Sequence, residues 1–334
     1  MVLVTDQRFA AETVAKCSQM TDQSRMSETR GGLGLRFLTG GVLPDLRVNP
    51  SEASRVNRAR ADLVEAFEPR ALRALALWPV RTRTEVIAEL SCHVVEPENG
   101  DIERIIIHFF GGGYISGKPE YDLPITGALA TLCKARVIAP RYALAPEFPY
   151  PHAFNQAMCL YTSMISQSPS KPVALSGESA GGGLASAMAL AVCHANLKPP
   201  LCLTLFSPWV DLSKEGIEAT RSGKDPTLTT EQLIWFSETY LAGADTRDAN
   251  VSPSLAKIPN NWPPTMLTTA NGDLLRPNVL AFGDRLRQQD ATVEVIEAHA
   301  PCHVFEVYDE CEAAHPTLKQ AADFIIANTS IHGR

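Results

Sequence analysis

From about residue 85 the chain alternates short apolar runs with longer stretches whose apolar residues recur at helical spacing. The runs lie at 85–95 (EVIAELSCHVV), 104–110 (RIIIHFF), 135–140 (ARVIAP), 172–177 (PVALSG), 201–208 (LCLTLFSP), 265–272 (TMLTTANG) and 292–298 (TVEVIEA). Helical stretches fall between most of them, at 121–133, 152–167, 180–195 and 276–288, and a last one follows at 316–328. Runs this short and this apolar read as strands covered on both faces. Their alternation with helices predicts an α/β domain with a mostly parallel sheet flanked by helices on both faces. On such a sheet ligands bind beyond the carboxyl ends of the strands, so chemistry is sought just after each run.

Residues before 80 follow a different rhythm. The stretch 51–77 carries apolar residues at helical spacing, with Ser51 placed to cap its start. Between SPWVDLS (207–213) and TMLTTA lie about fifty residues, too many for a plain connection. An amphipathic helix is predicted there near 229–241. These features divide the chain into a helical cap segment (1–80) and an α/β domain (81–334), with 214–262 folding back to complete the cap.

Composition narrows the function. Of 334 residues, 45% are hydrophobic and 20% charged, the net charge is −7, and no basic block stands out; this argues against a nucleic-acid role. The first residues, MVLVTDQRFAAETVAK, do not read as a secretory signal, and no run of ~18 apolar residues suggests a membrane span. The eight cysteines form no CxxC pair, which favours reduced, buried thiols in a cytoplasmic protein and disfavours a metal site. No cofactor is expected.

The strongest local signal is ALSGESAGGGLASAMAL (174–190). It reads as strand, Gly177-Glu178-Ser179-Ala180-Gly181, then helix, the pattern of a nucleophile elbow that lifts a serine hydroxyl above the sheet. Larger residues at the glycines would strike the neighbouring strand and helix. Ser179 then needs a base, and the base an orienting carboxylate, in the chain order Ser, acid, His. Asp273 follows the strand run at 265–270. His303 lies between the last strand and the last helix. His299 is nearer the strand end, but His303 opens an apolar segment, CHVFEV, that can pack beside the site. The glycine loop after 104–110 offers Gly112 and Gly113 as backbone donors to an oxyanion, together with Ala180.

GGGY, YALAPEFPYP, GESAGGGLA, SPWVDLS, NGDLLRPN and CHVFEVY occur in this order, and together they resemble the hormone-sensitive-lipase-type branch of the α/β-hydrolases over about residues 85–330. The resemblance implies the α/β-hydrolase fold with a central sheet of about eight strands, and a Ser-His-Asp hydrolase of esters or lactones with small to medium acyl groups. By motif, Ser179 corresponds to the nucleophile, Asp273 to the acid and His303 to the base; Gly112, Gly113 and Ala180 correspond to the oxyanion donors. It also raises a homodimer as an expectation, and the family includes dehydratases and non-catalytic receptors as alternatives. Two departures stand out. Phe110 occupies the place where the family has a histidine before its glycines, which predicts a loop held by packing; the nearby His108 reads as a strand residue. In RYALAPE, Arg141 and Ala143 replace the family's two charged residues, so the usual ion pairing there is rearranged or lost. Phe110, Tyr114, Phe37, Trp235 and Phe236 are the candidate pocket walls, with Leu38 and Tyr240 beside them.

Overall fold

The computed structural model describes residues 50–330. Phe37 and Leu38 therefore lie outside the described residues. The first helix, α1 (Pro50–Leu77), includes Ser51 within its first turn and turns Val56, Ala71 and Ala74 inward. It is followed by the strands β1 (Val80–Ile87), β2 (Leu90–Pro97) and β3 (Arg104–Phe109). Next come α2 (Leu123–Cys133), β4 (Ala135–Pro140), α3 (His152–Gln167), β5 (Val173–Glu178) and α4 (Ser179–His194). The chain continues with β6 (Leu203–Phe206), α5 (Lys214–Glu218), α6 (Thr230–Leu241), β7 (Thr265–Ala270), α7 (Arg276–Gln288), β8 (Val293–Ala298) and α8 (Ala314–Thr329).

The eight strands form one sheet in the order β1-β2-β4-β3-β5-β6-β7-β8. β1 and β2 run antiparallel to their neighbours, and the remaining pairs are parallel. Every position of β3 and β5 is buried, as a strand covered on both faces requires. α2 and α8 pack one apolar layer against one face of the sheet, and α3, α4 and α7 build the larger layer on the other. The order of the strands reverses between β3 and β5, and this is where an open sheet leaves a crevice at its carboxyl ends.

The run at 85–95 is not one strand. Ala88 and Glu89 adopt positive φ (50° and 63°), and the chain turns back so that Ile87 faces Leu90. Two successive left-handed residues suit the twist of a two-residue hairpin, but neither is a glycine or asparagine, so the turn left no mark in the sequence. The insertion after β6 contains α5, which the periodicity did not suggest, and α6, where it was predicted. Thr229 caps α6: its hydroxyl accepts from Gln232 N (3.2 Å), and the Gln232 side chain accepts from Thr229 N (2.8 Å).

Six cysteines among the described residues are free thiols, five of them buried. Cys159 is disulfide-bonded, which departs from the expectation of reduced thiols throughout. Among the described residues no helix is long and apolar enough to cross a membrane.

Candidate active site

β5 ends at Glu178, and α4 begins at the next residue. Ser179 makes the bend with φ of 51°, a strained conformation for a non-glycine residue that holds its side chain above the sheet. The bend brings α4 hard against the strands. A Cβ at Gly177 would sit 2.5 Å from the Gly181 carbonyl oxygen, and one at Gly181 would overlap the Phe109 carbonyl. Both glycines of the elbow are thus required by close backbone approach.

The structure brings Ser179, His303 and Asp273 into one hydrogen-bonded row. Ser179 Oγ lies 2.9 Å from His303 Nε2, and His303 Nδ1 lies 2.9 Å from Asp273 Oδ1. The Asp273 side chain is fully buried, and that of His303 is 10% exposed. Asp273 is fixed from behind: Oδ1 accepts from Leu275 N (2.9 Å) and Oδ2 from the Thr269 hydroxyl (2.9 Å). Burial alone would raise the carboxyl's pKa, but the facing His303 imidazole, the Ser207 hydroxyl and the Leu275 N–H outweigh it and hold Asp273 below the usual carboxylate range. For His303 burial works against the charged ring, while the Asp273 carboxylate, assisted by Asp225 and Glu178, overcomes it and raises the ring above its ordinary 6.5. The imidazole is therefore poised to take a proton.

The glycine loop leaves β3 at Phe109. Phe110 is buried and stacks on Tyr142 with ring centroids 4.2 Å apart and planes inclined by 15°, and the Tyr142 hydroxyl donates to the Phe110 carbonyl (2.6 Å). The next residue, Gly111, donates its N–H to the Glu178 carboxyl. Beyond it the chain closes on itself: the Gly112 carbonyl accepts from Ile115 N, Ser116 N and the Ser116 hydroxyl. The loop is anchored by an aromatic stack and a carboxyl, without an imidazole at position 110. Among the described residues the N–H groups of Gly112, Gly113 and Ala180 have no acceptor.

His108 is a β3 residue, fully buried, and it also makes a connection. Its Nε2 lies 2.7 Å from Asp122 Oδ2 and its Nδ1 3.0 Å from Ser176 Oγ. Burial pushes the imidazole down to about 3 and the Asp122 carboxyl well above the carboxylate range, so both groups are driven toward their neutral forms. His108 thereby ties the end of the loop that follows the glycines to the sheet.

The changed RYALAPE segment is rearranged around α1. Arg60 grips Glu147 with two nitrogens (2.8 and 2.7 Å) and also donates to the Ile115 carbonyl (2.9 Å) and the Ala145 carbonyl (3.2 Å). Arg141 turns instead to Glu120. Glu147 thus takes its guanidinium from a helix residue 87 positions earlier in the sequence.

An open cavity of about 470 Å³ rises above Ser179 and His303. Gly111, Gly112 and Gly113 form part of its floor, and Phe110, Trp235 and Phe236 line it. α1 contributes Leu63 and Phe67 to its wall. Tyr114 does not line it. With φ of 64° the residue turns its ring down into the core, where it stacks on Tyr240 (3.9 Å, 7°); both rings are buried. Neither tyrosine is a pocket wall: the tight turn after the glycines sends the Tyr114 side chain inward, and Tyr240 is buried on α6.

The alpha/beta hydrolase fold family profile matches residues 106–307, more than half of the chain. The chain belongs to the α/β-hydrolase fold family. Within that family it is 31% identical over 219 residues to an acetyl-hydrolase of Streptomyces hygroscopicus, an alignment covering 65% of this chain and 71% of the relative. It is 26% identical over 278 residues to an ethyl acetate hydrolase of Pseudomonas putida, covering 80% and 86%. Its fold is similar to that of the HSL homologue EstE7 from a metagenome library, with a TM-score of 0.72, 24% identity, and coverage of 83% and 98%. The family agrees with the resemblance drawn from the motifs.

Some functional contacts escaped the sequence. Nothing in the pattern marked Glu178 as the partner of Gly111, or Asp122 as the partner of His108. The amphipathic spacing of 51–77 did contain a usable signal for Leu63 and Phe67, since both fall on an apolar face.

Proposed function

We propose that this α/β-hydrolase is a serine carboxylesterase of the hormone-sensitive-lipase type. It is an ester-hydrolysing enzyme that uses Ser179 as nucleophile, His303 as general base and Asp273 as the residue orienting the imidazole. The reading is carried by the continuous row of hydrogen bonds from Ser179 through His303 to the buried Asp273, with Ser179 and His303 facing an open cavity. The Ser179 hydroxyl attacks the ester carbonyl while His303 Nε2 takes its proton. The oxygen of the tetrahedral intermediate becomes negative and is met by the N–H groups of Gly112, Gly113 and Ala180. His303 returns the proton to the leaving alkoxide, and water repeats the cycle on the acyl-enzyme. Gly111 is left out of this set because Glu178 occupies its N–H.

The substrate is an ester or lactone with a small to medium acyl group. The largely apolar walls and the cavity volume support this, and the names of the acetyl-hydrolase and ethyl acetate hydrolase relatives point the same way. Incubation with a short-chain p-nitrophenyl ester, and separately with a fluorophosphonate probe, tests the mechanism. Turnover and labelling are expected, and both are expected to vanish in Ser179→Ala. A folded protein that neither turns over esters nor accepts the label would refute the reading.

A further inference from the structure

Asp225 lies in the segment between α5 and α6, away from every motif that marks the reaction. Its carboxylate nevertheless reaches both loops of the proton-relay row. Oδ2 accepts from the backbone N–H of His303 itself (2.8 Å) and from that of Leu274 (3.0 Å), the residue directly after Asp273. Oδ1 accepts from Thr227 N (2.8 Å) and the Thr227 hydroxyl (2.7 Å). One side chain thus joins three stretches of chain that are distant in sequence. The third stretch matters as much as the other two, because Thr227 and Leu228 line the cavity. Gly223 supports the approach: a Cβ there would lie 2.9 Å from a Leu274 methyl carbon, so the cap segment sits directly on the Asp273 loop.

We propose that Asp225 is a positioning residue for ester hydrolysis. It fixes the separation of the loops carrying His303 and Asp273 and locks that separation to the cap segment that walls the pocket. Backbone N–H donors to a carboxylate make strong, directional bonds. The two loops also meet at their strand ends, where Gly272 N donates to the Ala300 carbonyl (3.1 Å) and Ala300 N to Asn271 Oδ1 (3.0 Å); Asp225 adds the tie further out, at Leu274 and His303 themselves. The proposal takes its chemistry from the esterase reading, but its geometry stands on the four hydrogen bonds alone.

The test is Asp225→Ala, read in two ways. Steady-state kinetics with a p-nitrophenyl ester should show kcat reduced about 10- to 100-fold while KM changes by less than about threefold, since misplaced reacting groups cost turnover before they cost binding. Hydrogen exchange followed by mass spectrometry should show faster exchange confined to peptides covering 271–276, 300–305 and 223–229. Wild-type kcat, or wild-type exchange in the first two peptides, overturns the proposal. If the alanine variant does not fold, Asp225→Asn keeps one accepting oxygen. It should lower kcat by about threefold with the same confined exchange, and unchanged values in that variant likewise overturn the proposal. A wild-type protein without ester turnover would sink the esterase reading, and the exchange comparison would still decide whether Asp225 ties the loops.

Discussion

Glu306 sits three residues beyond His303, on the short helical turn Phe305–Val307, and is only 1% exposed. Its Oε1 accepts from the Thr268 hydroxyl, and its Oε2 has no partner among the described residues. Burial raises its pKa from the ordinary 4.5 to about 7; the Thr268 bond opposes this and the Asp273 charge adds to it. The fold therefore prefers the protonated acid. The sign of the linkage follows. Any stability tied to this group is complete below pH 4.5, is lost as the pH rises toward about 7, and stays lost above it. A gap of that size amounts to about 3 kcal/mol, which is large beside the 5–15 kcal/mol or so that holds a typical domain together. Glu306→Gln keeps the shape and stays neutral at every pH. Reversible urea unfolding of both proteins, followed by tryptophan fluorescence, reads the difference between about pH 4.5 and pH 9. The variant should match the wild type at the acid end and exceed it by about 3 kcal/mol near pH 8.5. Parallel stability curves, or a variant that is the weaker one at alkaline pH, would show that Glu306 is satisfied as a carboxylate and would refute the reasoning.

Four further outcomes are expected. Gly113 has φ of 64°, and a Cβ there would lie 2.5 Å from the Phe236 ring, so Gly113→Ala should displace the glycine loop. It should lower kcat about 100-fold with little change in KM; a wild-type kcat would contradict the role given to the loop's N–H groups. Phe110→Ala removes a buried ring stacked on Tyr142 and should destabilise the protein by about 3–5 kcal/mol in denaturant titrations, whereas an unchanged midpoint would mean that packing does not hold the loop. Ester turnover, kcat/KM, should rise with pH to a plateau with a midpoint above 6.5, because His303 must be neutral to act and its environment favours the charged ring. Asp273→Asn should lower kcat by about four orders of magnitude, and a wild-type midpoint below 6.5 would count against the His303–Asp273 pairing.

Much of the fold was legible because the signals are local. β3 and β5 are buried at every position, and their sequences, RIIIHF and VALSGE, are correspondingly apolar over most of their length. The capped start of α6 is written in four adjacent residues, Thr229 to Gln232. The β1–β2 hairpin was not legible, since Ala88 and Glu89 turn the chain without any of the residues that favour positive φ. The direction of Tyr114 was hidden for a related reason: its place in the motif suggested the pocket, and a single positive φ sends the ring into the core instead.

The candidate site divides along the same line. By itself the sequence determined the alternating α/β architecture, the sharp turn at Ser179 with its two obligatory glycines, and which acid and histidine follow in the order the chemistry needs. Periodicity and turn chemistry act over a few residues, so they leave a readable trace. Only the tertiary structure decided that Glu178 holds Gly111, that Asp122 pairs with His108, that Arg60 pairs with Glu147, and that Asp225 spans the Asp273 and His303 loops. Three of these contacts join residues 49 to 87 positions apart in sequence. Their partners are chosen by how loops pack over the ends of the strands, and no local pattern records that choice.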